Sequence, residues 1–470
     1  MRKTAFTISF FLLISLFISV NSQDKPALVV VIGRHGTCEP SLSSYDDLWK
    51  SPSYLGDVGI EQHYTLGNLL AKKYSHLLDG ILPKQIYLQE IDNKCARMSL
   101  SAELLGLFHD QSHKHLPNTT KKDFNIPYEN QDLVNEVTEE LTASSASIPN
   151  RLQFLTQKFV ATEGAPDTEV FQVDPTTCTI LRRGFQMRFD SEPNRRMTHE
   201  LIETIKSVKR LNYNVNDIHQ LKQFGDDLLS RYNAGQPPLE SVPFEDPIFE
   251  NSVFALKWWN LYNLVGNGTE RAVQLFPFYN SLSKWFQEVA KGKISMRFAL
   301  LNGYDHSLFT LLDLYNITNA HCFYGNHYSQ KQGKGLLYPD CEYPEVGSQL
   351  IYEFYNTKNP YIKMLYNGKP VKFCRYSKGI ECPLEDFLKE VPEVLESLDQ
   401  EKHDDLCGLP KQPKKKSKVG MIVATSILGL IVVLTIYLLL SKKVKLRTKV
   451  DNETRAILAG IRESGVKLVR

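Results

Sequence analysis

Residues 28–32, LVVVI, run without a polar interruption into Gly33, Arg34 and His35. A strand with one wet face alternates apolar and polar residues. An unbroken β-branched run fits a strand covered on both faces, the kind found inside parallel sheets. Pro26 precedes the run and Gly33 ends it. A chain with this segment must build a layered sheet and finish one of its interior strands on a guanidinium beside an imidazole.

The neighbouring patterns supply the layers. GIEQHYTLGNLLAKKYSHLL, residues 59–78, has helical length and apolar spacing, and KQIYLQEI, residues 84–91, reads as a second strand. A helix is predicted from about Arg97, so the first hundred residues read β–α–β–α. From about 130 to 290 the periodicity is helical and loop-rich, and KWWNLYNLVG within it reads as core packing. GKISMRFALLNGYDHSLFTLLDLY then restores a strand followed by a helix, and two hairpin-like strands follow near 350 and 365. The expected fold class is α/β, a mixed central sheet with flanking helices plus a mostly helical inserted domain. The core is expected over 26–130 and 290–400, and the insertion over 131–289.

Two apolar segments frame this unit. Residues 1–22 have a basic start and a long apolar run, the pattern of a secretory signal peptide. Residues 419–440 are 22 uncharged residues, long enough to cross a bilayer of ~30 Å as one helix at ~1.5 Å per residue. Basic clusters lie on both sides of that span, so the leader sets the orientation. The reading is a single-pass type I membrane protein with residues 23–410 lumenal or extracellular, at a lysosome-like compartment or the cell surface. A basic stalk over 411–418 and a cytosolic tail over 441–470 complete it. Between 23 and 410 there are 39 Lys and Arg against 50 Asp and Glu, a net charge of about −11 that argues against nucleic acid as a partner. Sequons at Asn118, Asn267 and Asn316 fall in this part and are candidate glycosylation sites. All eight cysteines fall there too, in an oxidising compartment where disulfides persist. Cys374 and Cys382 bracket a short loop that a disulfide closes easily. No CxxC pattern suggests a zinc site, and no metal is expected.

Arg34 and His35 follow the first strand, Arg97 opens the helix after the second, and Asp305 ends the strand near 300. In open α/β sheets ligands sit beyond the carboxyl ends of strands, so these four side chains are candidates for one crevice. Guanidiniums grip phosphate oxygens, a histidine attacks phosphorus, and a carboxylic acid protonates a departing oxygen.

RHGTCEP, GIEQHYTLG, RMSLSAELLGLF, NGYDHSLFTLL and CPLEDF occur in that order. Together they resemble the motifs of the histidine acid phosphatase family (branch two of the histidine phosphatase superfamily), whose first strand runs into R-H-G-x-R-x-P. The resemblance implies metal-free and cofactor-free hydrolysis of a small phosphate monoester at acidic pH. His35 would be the nucleophile, through a phosphohistidine, and Asp305 the proton donor. Arg34 and Arg97 would bind phosphate, with Tyr304 as a further donor. It also implies a Cys178–Cys407 disulfide and supports Cys374–Cys382. Two positions depart from the pattern. Cys38 stands where the motif has its second arginine, and Tyr304 where a histidine precedes the aspartate. Cys38 reads as a space-filler, as a disulfide partner of Cys95, or as a functional thiol. Losing cationic donors predicts a slower enzyme that Cys38→Arg improves, unless Cys38 is bonded to Cys95. The alternative function is an impaired pseudophosphatase ectodomain that binds a phosphorylated ligand.

Overall fold

Every residue of β1 (Leu28–Arg34) is buried, and the reason is its position between two neighbours. β1 pairs in parallel with β3 (Phe298–Gly303) and antiparallel with β4 (Gln349–Tyr355). In the computed structural model, residues 25–39, 54–91, 93–108, 131–132, 135, 178–266, 268–409 and 418–463 are described. The predicted leader over 1–22, the sequons at Asn118 and Asn267, most of the stalk and the first part of the predicted insertion lie outside them. β2 (Ile86–Glu90) adds in parallel to β3. β5 (Tyr361–Tyr366), β6 (Lys369–Val371) and β7 (Glu381–Pro383) extend the other edge antiparallel. The sheet is therefore mixed, in the order β2-β3-β1-β4-β5-β6, with β7 also on β5.

Side chains alternate across the sheet as the two-residue period of a strand requires. Leu28, Val30 and Ile32 join Ala299 and Leu301 on one face, whereas Val29 and Val31 join Phe298 and Leu300 on the other. The second face is covered by α1 (Asp57–Lys73) and α3 (Lys94–Leu107), with the one-turn α2 (Ser75–Leu78) between them in sequence. α1 and α3 cross closely enough that a Cβ at Gly67 would collide with the Glu103 carbonyl.

Helices α4 (Thr179–Phe189), α5 (Glu192–Glu200), α6 (Ile202–Arg210), α7 (Ile218–Ala234), α8 (Pro247–Leu264) and α9 (Thr269–Ala290) follow in the chain. Helices α5 to α8 have an apolar cluster of their own, including Met197, Val208, Phe224, Trp258 and Trp259. α9 does not join it. Phe276, Leu282 and Phe286 of that helix pack on the sheet, as do Cys178 and Leu181 at the start of α4. The insertion boundary near 289 is thus corrected. α9 is helical in sequence like its predecessors, but its buried stripe completes the sheet's first face.

α10 (Asp305–Leu314) and α11 (Ala320–Lys331) come after β3, and α12 (Leu384–Val394) and α13 (Gln400–Cys407) close the unit that ends at Leu409. Residues from Pro410 form a separate unit. It contains α14 (Lys418–Glu463), a 46-residue helix that includes the apolar stretch 419–440. Val432, Val433, Leu434 and Leu438 to Leu440 are all exposed on it. Among the described residues no helix is long and apolar enough to cross a membrane, and the side chains of 419–431 lie outside that description.

Candidate active site

The parallel pairing of β1 with β3 puts Arg34 opposite Gly303, so both strands deliver their next residues to the same edge of the sheet. The His35 amide donates to the Gly303 carbonyl at 2.8 Å, and Asp305 opens α10 two residues beyond β3. A cavity of about 430 Å³ opens there, lined by Arg34, His35, Tyr304, Asp305 and His306, with Cys38 and Cys95 beside them. A larger groove of about 880 Å³ near Asn316 and Lys372 has, among the described residues, none of Arg34, His35, Tyr304 or Asp305 in its wall; these predicted site residues gather in the smaller one.

The turn after β1 is held from two helices. Gly36 N–H donates to Ser99 Oγ of α3 at 3.0 Å, and Thr37 donates through its amide and hydroxyl to Gln62 Oε1 of α1 at 3.0 and 3.1 Å. At Gly59 any Cβ would strike the Thr37 carbonyl, so a glycine is what lets α1 approach this turn. His35 Nδ1 lies 2.8 Å from the Gly36 carbonyl. Donation of Nδ1–H to that oxygen fixes the tautomer in which Nε2 has the free lone pair. Burial, and secondarily the Arg34 charge, lowers the His35 pKa to about 4, so the ring is a neutral base in mild acid.

Arg34 is buried. One of its terminal nitrogens donates to the Pro344 carbonyl, the other lies 3.7 Å from Asp305 Oδ2, and its Nε has no hydrogen-bond partner. Asp305 also accepts from Tyr343 Oη, from Asn260 Nδ2 at 3.3 Å and from the His306 amide at 2.7 Å. Burial alone would push its pKa up. The Arg34 guanidinium, His306 and Tyr343 together outweigh burial and hold the carboxyl well below the usual range. Asp305 is therefore ionised. A phosphoryl dianion that took Arg34 for itself would reverse the balance, because a like charge favours the protonated acid.

Tyr304 meets the His35 ring edge-on at a centroid distance of 5.7 Å and stacks on His306 at 5.0 Å. The opposite wall comes from α7, where Lys222 and Asp226 sit one turn apart and both line the cavity. Burial, despite Lys222, raises the Asp226 pKa to about 6. Lys222 lies 3.9 Å from the centroid of the Trp259 ring. Sequence reasoning missed Lys222, Asp226, Asn260 and Tyr343. The four-residue spacing of Lys222 and Asp226 was the available signal, while nothing local marks Tyr343.

Two expectations need correction. Arg97 does not line the cavity: its Nε pairs with Glu90 Oε1 at 3.3 Å. α3 starts earlier than the sequence suggests, capped by Asn93, whose side chain accepts from the Cys95 and Ala96 amides. Cys95 then faces the cavity, and Arg97, two positions on, lies ~200° around the helix. Cys38 is neither a space-filler nor a free thiol, because it is bonded to Cys95. Among the described residues the cavity wall thus holds one guanidinium, Arg34, and a disulfide where a second phosphate arginine was sought. The remaining cysteines pair as Cys178–Cys407, Cys322–Cys341 and Cys374–Cys382, so all eight are bonded. Asn316 is exposed after α10.

No family model matches the chain. Prostatic acid phosphatase of Mus musculus is 31% identical over 114 residues, which is 23% of this chain; the match spans 30% of that relative's length. Among solved structures, the chain is similar to a phytase from D. castellii (12% identity, 83% of each chain, TM-score 0.47). It is similar also to a multiple inositol polyphosphate phosphatase from Bifidobacterium longum (11% identity, 82% of this chain and 95% of that one, TM-score 0.47).

Two outcomes follow from this geometry. NMR titration of the ring will show His35 neutral at pH 5 and protonating near 4, and Arg34→Gln will move that midpoint upward. Because the folded pKa is the depressed one, the unfolded chain binds the extra proton between about pH 4 and 6.5, so stability rises with pH across that window, and His35→Ala flattens the rise. A His35 midpoint at or above 6.5 contradicts the assignment. Second, Cys38→Arg leaves Cys95 unpaired and lowers stability by ~2–4 kcal/mol, the usual value of a disulfide, instead of raising the rate. Thermal denaturation measures the loss; an arginine variant as stable as wild type and faster would revive the discarded reading.

Proposed function

We propose that the chain is a membrane-anchored member of the histidine acid phosphatase family whose cavity hydrolyses a small phosphate monoester slowly. The observation that carries the reading is His35. Its Nδ1 is tied to the Gly36 carbonyl, and its ring lines the same cavity as Arg34 and Asp305. In the reaction Nε2 attacks phosphorus, the P–O ester bond breaks, and Asp305, protonated once phosphate engages Arg34, gives its proton to the leaving oxygen. Water then attacks the phosphohistidine, Asp305 takes its proton, and inorganic phosphate leaves His35 free. Arg34 is the guanidinium for the equatorial oxygens, Tyr304 a further donor.

Slowness follows from the donor count. Removing one preorganised donor from such a site typically costs ~10²–10³ in rate, and here a neutral disulfide lines the cavity while the Arg34 guanidinium is shared with Asp305. The same disulfide favours a second reading, a pseudophosphatase that binds a phosphorylated ligand without turning it over. The placement in the cell belongs to the proposal too. The leader-like residues 1–22 and the uncharged run 419–440 support a type I anchor, with the cavity in a lysosome-like lumen or outside the cell and N-glycans at Asn118, Asn267 and Asn316.

Incubation with a ³²P-labelled aryl phosphate at pH 5, quenched under conditions that preserve phosphohistidine, separates the two readings. Slow hydrolysis predicts label on wild-type protein, none on His35→Ala, and release of phosphate over minutes. Label-free wild-type protein that still binds the phosphate ester would establish the binding-only reading.

A further inference from the structure

The cavity disulfide also brings three metal-binding atoms together, two sulfurs and a ring nitrogen. Cys38 Sγ lies 3.0 Å from His35 Nδ1, and Cys95 Sγ lies 3.8 Å from it. Among the described residues this is the one group of three or more His, Cys, Asp or Glu whose ligand atoms converge, all within 4.8 Å of one another. The sequence conceals it, since 57 residues separate the two cysteines and no zinc-like spacing is present. We propose that, once a dithiol reductant opens the Cys38–Cys95 bond, His35, Cys38 and Cys95 form a site for one zinc-like divalent cation whose fourth position faces the cavity.

The geometry is close to what such an ion needs. With Zn–S of ~2.3 Å and Zn–N of ~2.0–2.1 Å in a tetrahedron, the two sulfurs stand ~3.8 Å apart and each lies ~3.5 Å from the nitrogen. The observed sulfur–nitrogen distances bracket that value, and the main adjustment is to move the two sulfurs apart. Cys95 is buried, but Cys38 is partly exposed in the cavity wall, so a small reductant can reach the bond through Cys38. The Cys178–Cys407 and Cys374–Cys382 pairs are buried in the core, and Cys322–Cys341, partly exposed through Cys341, is the pair whose thiols the peptide map must show still bonded. The buried Arg34 guanidinium next to His35 favours thiolates here. Three protein ligands and an open fourth position, two sulfurs and one nitrogen among the three, suit zinc better than magnesium or calcium.

The chemistry balances. A dithiol gives two electrons and two protons to the disulfide and becomes a cyclic disulfide itself. Zinc then displaces the two thiol protons. The imidazole shifts its proton from Nδ1 to Nε2, so that Nδ1 coordinates and its bond to the Gly36 carbonyl is lost. Nε2, now protonated, no longer has a lone pair for phosphorus, so metal capture and phosphoryl transfer exclude each other. The metal site itself requires only the three ligand atoms and does not rest on the phosphatase reading.

The test uses the full-length protein in detergent. Limited dithiothreitol treatment opens the cavity disulfide, the reductant is removed without air, and peptide mapping confirms which thiols are free. Zinc is then titrated against a chromophoric chelator, and X-ray absorption reports the ligands. One equivalent is expected in the reduced protein, with two sulfurs and one ring nitrogen around the ion, and none in the oxidised protein. His35→Ala should weaken binding by more than ~10-fold, the smaller effect typical of losing only an outer-shell partner. Alkylating the two freed thiols of wild-type protein should abolish uptake, which avoids reliance on a cysteine variant that folds poorly. Absence of zinc uptake, uptake that survives alkylation, or loss of near-ultraviolet dichroism on opening this one bond would each overturn the proposal. Labelling of His35 by phosphate in the oxidised protein is read separately, so failure of one reading is distinguishable from failure of the other.

Discussion

The contact between Arg34 and Asp305 joins the ends of two parallel strands, and much of the site is arranged around it. Both groups are buried. A buried charge left alone costs several kcal/mol even after relaxation, and the pair offsets this only when further hydrogen bonds satisfy it. Pro344, Tyr343, Asn260 and the His306 amide supply them. Those partners come from α8, α10 and the segment before β4, so one ion pair gathers distant stretches of chain. It also sets the electrostatics of the neighbouring groups. Burial first and the guanidinium second depress His35, while the guanidinium with His306 and Tyr343 outweighs burial at Asp305, so the imidazole stays neutral and the carboxylate charged.

That arrangement has a cost for chemistry. In the proposed reaction a guanidinium already engaged by a carboxylate would have to exchange it for phosphate, and that exchange would allow Asp305 to gain a proton. Among the described residues Arg34 and Lys222 stand against Asp305, Asp226 and Glu39 in the wall, a formal charge of −1. Asp226 loses its charge below about pH 6, so the cavity becomes more welcoming to an anion as the medium acidifies. The disulfide adds rigidity at the foot of His35 and contributes no charge.

Much of this was legible in sequence because it is local. The uninterrupted run from Leu28 requires an interior strand, and Gly33, Arg34 and His35 then fall at its carboxyl end. Asp305 was legible for the same reason, as the residue where a strand pattern becomes a helix pattern. What sequence misjudged depends on phase and on tertiary partners. Moving the start of α3 forward to its Asn93 cap rotates Arg97 out of the cavity and Cys95 into it. α9 carries the same periodicity as the helices before it, and only its packing partner distinguishes core from insertion. Tyr343 and Asn260 matter through contacts with Asp305 across 38 and 45 residues, and no spacing rule reaches that far.

The central claim is that His35 Nε2 is a phosphorus nucleophile served by the guanidinium that Arg34 shares with Asp305. Orthovanadate tests it most directly, because it takes the five-coordinate shape of a transferring phosphoryl group. A crystal structure of the oxidised protein soaked in vanadate at pH 5 should show a vanadium–Nε2 bond to His35, equatorial oxygens on Arg34, and Asp305 released from Arg34 toward the apical oxygen. Vanadate bound away from His35, or an Arg34–Asp305 pair left intact beneath a bound anion, would contradict the account.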